Sequence, residues 1–295
     1  MEIREYQRLA AETDQRRGGD EAALMFPLIG LAAEIGTMLG QFKRRVRDGD
    51  SQSLFSERIN EQLGDVLWYT ANLAGKLDLD LQEIAEINLR RTRERWPTDG
   101  AVKPSRLLDE DFPEAERLPR RAEVEFRQGV EGDRKRVRLF FEGRQLGDPL
   151  WDMSWEEDDY RFHDVFHLSY AALLGWSPIA RWLFGCQRRS NPRFREVEDS
   201  GRAKVIDEAV AALAFEYARR VQFFSRVRTV DSDVLDTVRS MTSGLEVRVR
   251  SAREWETAIL QSFDMWRQLR DSEGGRLLID LERRTVSFTP LASAS

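Results

Sequence analysis

At 295 residues, 41% hydrophobic and 33% charged, the chain has the length of one large domain or two ordinary ones and a globular balance. Its net charge of −6 speaks against a sequence-independent nucleic-acid binder, which needs a basic face, but leaves room for a local basic pocket for phosphates. The single cysteine, Cys186, excludes an intrachain disulfide. The polar start MEIREYQRLAAETDQ is unlike a secretory leader, and no apolar run is expected to approach the ~18–20 residues of a membrane span. A cytoplasmic protein is expected, with no membrane and no sequence-specific nucleic-acid partner.

In chain order, a first helix is expected within residues 2–17, closed by Gly18-Gly19. From Leu24, apolar residues fall at 24, 28, 31, 35, 38, 42 and 46, the three-four stepping of a helix-packing seam that stops near Asp48-Gly49-Asp50. A second seam runs through Ile59, Leu63, Val66, Thr70, Leu73 and Leu77. A third helix starts after Asp78-Leu79-Asp80-Leu81, with Asp80 as its N-cap, and ends at Trp96-Pro97. Residues 98–120 are proline-rich and aperiodic and read as a linker. The alternation of AEVEFRQGVEGDRKRVRLFFEGRQL about Val130-Glu131-Gly132-Asp133 predicts a hairpin. Helices follow at roughly 157–175, 178–187, 201–225, 231–241 and 251–271, then a closing strand pair within GGRLLIDLERRTVSFTP. The expected fold is mainly α: a helical bundle over residues 1–97, and a mostly helical domain with small β-hairpins over 121–295.

Glu34 and Asp65 lie beside the first two apolar seams, where a bundle interior would place them, and a charge there is costly unless paired. Residues three or four apart share a helix face, so two such pairs on facing antiparallel helices can surround one hard cation with oxygens. Along the third helix Leu81, Ile84, Asn88, Arg91 and Arg95 share a face that turns from apolar to guanidinium, and guanidiniums suit phosphate oxygens. Lys43, Arg44, Arg45 and Arg47 add positive charge past the first seam, or simply complement a helix C-terminus.

LIGLAAEIGTMLGQFKRRVRDG and EQLGDVLWYTANLAGKLDLDLQEIAEINLRRTRERW together resemble the MazG-type branch of the all-α nucleoside triphosphate pyrophosphohydrolases, over roughly residues 20–97. The resemblance implies a homodimer or higher homo-oligomer with a Mg²⁺ (or Mn²⁺) site, cleaving a (d)NTP to monophosphate and pyrophosphate. It asks for Glu-x-x-Glu on the first long helix, where this chain has Glu34 and Thr37, and for Glu-x-x-Asp on the second, where it has Gln62 and Asp65. Each neutral residue still offers an oxygen but removes a negative charge. Glu61, four residues before Asp65, faces nearly the same way and can partly substitute. The resemblance thus assigns metal binding to Glu34, Asp65, Glu61 and Gln62, catalysis to Glu34, Asp65 and Glu61, and substrate binding to Asn88, Arg91, Arg95 and Lys43. The alternative is a degenerate module that binds or senses nucleotide with little turnover.

Both histidines of the chain lie in YRFHDVFHLSYAALLGW. His163 and His167, four apart on a predicted helix, can present two imidazoles to a transition metal, with Asp164 beside them. A zinc-peptidase reading is poor, because Asp164 stands where that motif needs glutamate. On the long helix further on, Glu208 or Glu216 can complete such a site, but not both, being about 12 Å apart along the axis. A second hydrolytic or metal site in the C-terminal half is therefore a further alternative, set against a hydrogen-bonded pair packed in the core. Arg188, Arg189, Arg193 and Arg195 read as a solvated surface or a phosphate-contacting loop, Trp155 among the core and interface tryptophans, and Cys186 as inert.

Overall fold

The computed structural model describes residues 1–16, 18–49, 54–95 and 106–291. The chain divides into two compact units, residues 1–93 and 94–295. Its elements are ten α-helices among the described residues and one five-stranded sheet, a mainly-α fold.

The first unit consists of α1 (Ile3–Glu12), α2 (Glu21–Asp48), α3 (Phe55–Lys76) and α4 (Leu81–Arg95). Asp20 caps α2 by accepting from the Ala23 N–H at 2.8 Å. Asp80 caps α4, accepting from the Gln82 and Glu83 N–H groups, and Arg4 holds its other oxygen at 2.7 Å. The α1–α3 contact is a small core of Ala10, Ala71, Ala74 and Leu81 under Tyr6 and Trp68. The α2–α3 pair runs antiparallel: Phe26 meets the Tyr69 ring at 6.1 Å at one end, and Phe42 meets Phe55 at 5.2 Å at the other. Gly30 is required at this contact, since a Cβ there would lie 2.3 Å from the Tyr69 ring.

Much of the predicted seam of α2 lies outside the α3 contact, although Phe42 of that seam meets Phe55. Ala23, Pro27 and Gln41 are the buried positions of α2. Leu28, Ile35, Leu39, Phe42 and Val46 are exposed, Val46 at 88%. The face that meets α3 is the one carrying Gly30 and Glu34, because only a glycine admits the Tyr69 ring. The expectation that no apolar run nears a membrane span is also corrected. By length and composition α2 is long and apolar enough to cross one, although every eighteen-residue window of it contains Glu34. Trp96-Pro97 lie outside the described residues.

In the second unit, β1 (Arg121–Glu131), β2 (Arg134–Phe141), β3 (Arg144–Leu150), β4 (Gly274–Asp280) and β5 (Thr285–Thr289) pair antiparallel in the order β3-β2-β1-β4-β5. The two expected hairpins are thus one sheet, joined where Val124 pairs with Leu277. Ala122, Val124 and Phe126 are buried while Glu123 and Arg127 face water, the period-two pattern of a one-faced sheet. β3 was not expected; it follows a Glu142-Gly143 turn with both φ positive, 49° and 76°.

The helices of this unit are α5 (Asp164–Leu174), α6 (Pro178–Leu183), α7 (Pro192–Val197), α8 (Gly201–Arg220), α9 (Ser232–Thr242) and α10 (Ala252–Asp271). All eleven residues of α5 are buried, packed against α10, α8 and the sheet. Residues 106–120, expected within the linker 98–120, are part of this unit instead. Leu118 and Asp109 are each 1% exposed, and Asp109 accepts from the Leu118 N–H, Arg120 and Arg181. Arg188, expected on a solvated loop, is fully buried between Asp199 at 2.7 Å and Glu246 at 2.7 Å, and its guanidinium lies over the Phe112 and Phe194 rings. Trp176 and Trp255 are buried as expected, but Trp155 is fully exposed. Cys186 is buried, and burial pushes its thiol up to about 11, an inert state.

Candidate metal centres

In the first unit, interpolating between the aromatic contacts at the two ends sets Glu34 level with the turn of α3 that carries Gln62 and Asp65. Glu34 is half-buried; Asp65 and Glu61 are exposed. Asp65 lies near Tyr6 of α1, whose hydroxyl is raised above its ordinary pKa by burial first and by the Asp65 charge second. Gln62 is buried, and its side-chain carbonyl oxygen has no hydrogen-bond partner, an unusual state for a buried acceptor. Thr37 is exposed, and its hydroxyl donates back to the Ala33 carbonyl at 3.0 Å. Among the described residues, Glu34, Asp65 and Glu61 do not draw together as a set of three ligands.

The expected phosphate-binding residues belong to α2 and α4. Lys43 is exposed on α2, nine residues and therefore about 13 Å of helix axis beyond Glu34. Asn88 and Arg91 are exposed on α4, where Leu81 is the buried residue among the described side chains. Arg95 belongs to the last described turn of α4, and its side chain lies outside the described residues.

In the second unit the structure does assemble a ligand triad. His163, His167 and Glu208 offer one ligand atom each, all within 4.8 Å of one another. A 3₁₀ turn, Tyr160–Phe162, leads into His163 at the N-cap position of α5, where φ −60° and ψ −26° keep it on the helical face of His167. α8 brings Glu208 alongside. The His163 and His167 rings are edge to face, 6.0 Å apart.

The second partners of the rings fix their tautomers. His163 Nδ1 lies 3.0 Å from the Tyr160 carbonyl, which can only accept, so that nitrogen carries the proton. The Tyr160 ring also stacks on His163, 4.5 Å away and 7° from parallel. His167 Nδ1 donates to Asp207 Oδ1 at 2.9 Å. Asp207 is itself held by the Ser177 hydroxyl at 2.6 Å and the Ile179 N–H at 3.2 Å. Each histidine therefore has Nε2 as the atom left for a ligand. His167 Nε2 is buried without a hydrogen bond; Glu208 Oε2 stands 3.3 Å away but off the direction of a ring N–H. Burial opposes charge on His167, yet Asp207 and Glu208 outweigh it and raise the ring well above its ordinary pKa. Burial likewise opposes charge on Glu208, and His167 with His163 nevertheless lowers its carboxyl below the ordinary value.

Asp164 is not in the triad; its carboxylate is buried, 3.7 Å from His163 Nε2. Glu216 is exposed and pairs with Arg219 at 3.4 Å, so Glu208 is the helix carboxylate at the histidines. Asp207 was missed from the sequence, although a signal exists. It is the one charged residue on the buried stripe of α8, among Ala203, Val210, Ala211, Ala214, Phe215 and Ala218.

A mainly-α unit wrapped on a small antiparallel sheet, with a histidine-carboxylate cluster at the head of its central helix, is the class that the second unit defines. A family model for the MazG C-terminal domain matches residues 103–292, and the chain belongs to that family. It is also similar to the Gene 37 protein of Mycobacterium phage L5, 31% identical over 101 residues, which cover 32% of this chain and 89% of that protein. No solved structure matches.

Proposed function

We propose that the protein is a nucleoside triphosphate pyrophosphohydrolase, converting (d)NTP to (d)NMP and pyrophosphate with Mg²⁺ or Mn²⁺ held between α2 and α3. The observation that carries this reading is the antiparallel register of α2 and α3, whose ring contacts at either end are consistent with Glu34 at the axial level of the Gln62–Asp65 turn. The donor set suits a hard ion: it is all oxygen, and the Gln62 carbonyl is buried with no other partner. Family membership supports the reaction class.

In this reading Glu34, Asp65 and Gln62 hold the ion, with Glu61 reaching in from one turn away. Bound there, the ion supplies positive charge at the phosphates and acidifies a water. Of the catalytic carboxylates Glu34, Asp65 and Glu61, one not engaged by the ion would take the single proton released as the water oxygen bonds to the α-phosphorus and the bond to pyrophosphate breaks. Asn88 orients a phosphate or the sugar, and Arg91, Arg95 and Lys43 neutralise charge on the departing pyrophosphate. The exposed apolar residues Leu28, Ile35, Leu39 and Val46 of α2 support a homodimer or higher homo-oligomer in which a second copy covers them. The reaction is placed in the cytoplasm, where nucleoside triphosphates are available.

One observation favours a second reading. The exposed Thr37 turns its hydroxyl back to the Ala33 carbonyl, and Thr37 and Gln62 are neutral where the resemblance asks for carboxylates; such a site can bind nucleotide with little turnover. Pyrophosphate release from a panel of NTPs and dNTPs, with and without Mg²⁺ or Mn²⁺, separates the two. Metal-dependent release supports the enzyme; silence across the panel, with nucleotide still raising the melting temperature, supports the sensor and overturns the enzyme.

A further inference from the structure

The second unit holds chemistry that the proposed reaction between α2 and α3 does not use. We infer that His163 Nε2, His167 Nε2 and Glu208 form a separate site for one divalent transition ion of the zinc type, with Asp207 as its positioning residue.

Three independent features of the triad lead there. The first is the pair of tautomers. Both Nδ1 protons are committed, one to a backbone carbonyl and one to a carboxylate, which is how metal-ligating histidines are held. The second is distance. Ligands about 2.0–2.1 Å from a tetrahedral ion stand roughly 3.3–3.4 Å from each other. His167 Nε2 and Glu208 Oε2 are 3.3 Å apart, and no edge of the triangle exceeds 4.8 Å. The third is the state of His167 Nε2. A fully buried ring nitrogen with no hydrogen bond is costly as a mere ion-pair partner, but it is the expected state of a ligand atom.

The ligand types choose the ion. Two imidazoles and one carboxylate suit Zn²⁺ and its first-row neighbours, whereas Mg²⁺ demands oxygens. Three protein ligands leave a fourth position open, as in catalytic rather than structural zinc sites. The Glu208 side chain, 44% exposed, puts that opening toward solvent, where water or an anionic oxygen can enter. The buried Asp164 carboxylate stands 3.7 Å from His163 Nε2 and offers an acceptor beside the triad.

The test uses the full chain, stripped with a chelator and reloaded with Zn²⁺ alone or Co²⁺ alone. The expected result is one Zn²⁺ per chain by elemental analysis, retained through gel filtration against excess Mg²⁺, and visible d–d bands of four-coordinate Co²⁺. Glu208→Gln should weaken Zn²⁺ at least about tenfold, and Asp207→Asn about 10–100-fold. Glu208 is half-exposed, so its variant keeps the test decisive if the buried His167→Ala does not fold. Zn²⁺ bound equally by wild type and Glu208→Gln overturns the site, as does a wild type that retains none. Asp65→Ala should leave the zinc stoichiometry unchanged, so failure here and failure of the pyrophosphohydrolase reading are separate results.

Discussion

The two units handle polar groups in opposite ways. The first buries little: its intrachain core is three alanines and a leucine, and its oxygen donors at Asp65 and Glu61 stand in water. The second encloses Trp176, Trp255, Trp266 and Phe263 together with Arg181, Arg188 and Arg250, each guanidinium answered by carboxylates or carbonyls. The candidate ligands follow the same division. Asp65 is exposed and Glu34 half-buried, which suits a hard ion that keeps its own waters. His163 and His167 are each oriented by a second group, which suits an ion bound through rigid imidazoles. Hydration of the ligands, more than their number, separates the two sites.

The largest expected effect tests the burial contrast. Arg188→Ala leaves Asp199 and Glu246 buried without their cation and should cost about 3–5 kcal/mol in urea unfolding. The exposed pair of the first unit is the control: Arg4→Ala should leave the unfolding midpoint where it is. Equal losses from both would break the comparison. Next in size, Asp65→Ala should lower metal-dependent pyrophosphate release by at least about 100-fold, near 3 kcal/mol of barrier. Circular dichroism should stay unchanged, because the side chain is exposed. Unaltered turnover would sink the α2–α3 site. Smaller again, Leu39→Asp on the outward face should shift self-association by at least about tenfold in sedimentation equilibrium. A wild-type chain that is monomeric throughout that range removes the second copy from the proposal.

How much of this was legible in the sequence differs between the units for a physical reason. Caps, breaks and period are local, so Asp20, Asp80 and the Gly132 hairpin mark the ends of elements that the chain forms. Periodicity also located the apolar stripe of α2, but a stripe does not say which molecule covers it. The intrachain contact went to Gly30 and Glu34 because the Tyr69 ring needs the missing Cβ. The spacing of His163 and His167 put both rings on one helix face, and left Glu208 and Glu216 as alternatives for the third ligand. Asp207 and the burial of Arg188 could not be read from spacing, since both depend on partners 30 to 58 residues away, Ser177, His167 and Glu246. The strand β3 escaped because its turn is Glu142-Gly143 rather than the usual Asn-Gly or Asp-Gly.

The smallest effect sharpens the comparison through pH. Burial pushes the Glu246 carboxyl up to about 7; Arg188 pulls it down, and the neighbouring Glu198 charge pushes it up again. Unfolded, the group titrates near its ordinary value of 4.5. Between those values the folded state holds a proton that the unfolded chain has released. This contribution is therefore fully present below the lower value and is lost as pH rises toward the upper one. Asp80 in the first unit carries the opposite sign. Desolvation opposes its charge, but Arg4 and the Glu83 and Gln82 N–H groups hold its carboxyl below the ordinary value, so its contribution is present at neutral pH and lost in acid. Urea midpoints at about pH 5 and about pH 7.5 should fall with rising pH in the wild type and fall less in Glu246→Gln, where the raised His167 still contributes a slope. A slope unchanged in that variant would remove Glu246 from the effect and leave it to His167 and Glu198.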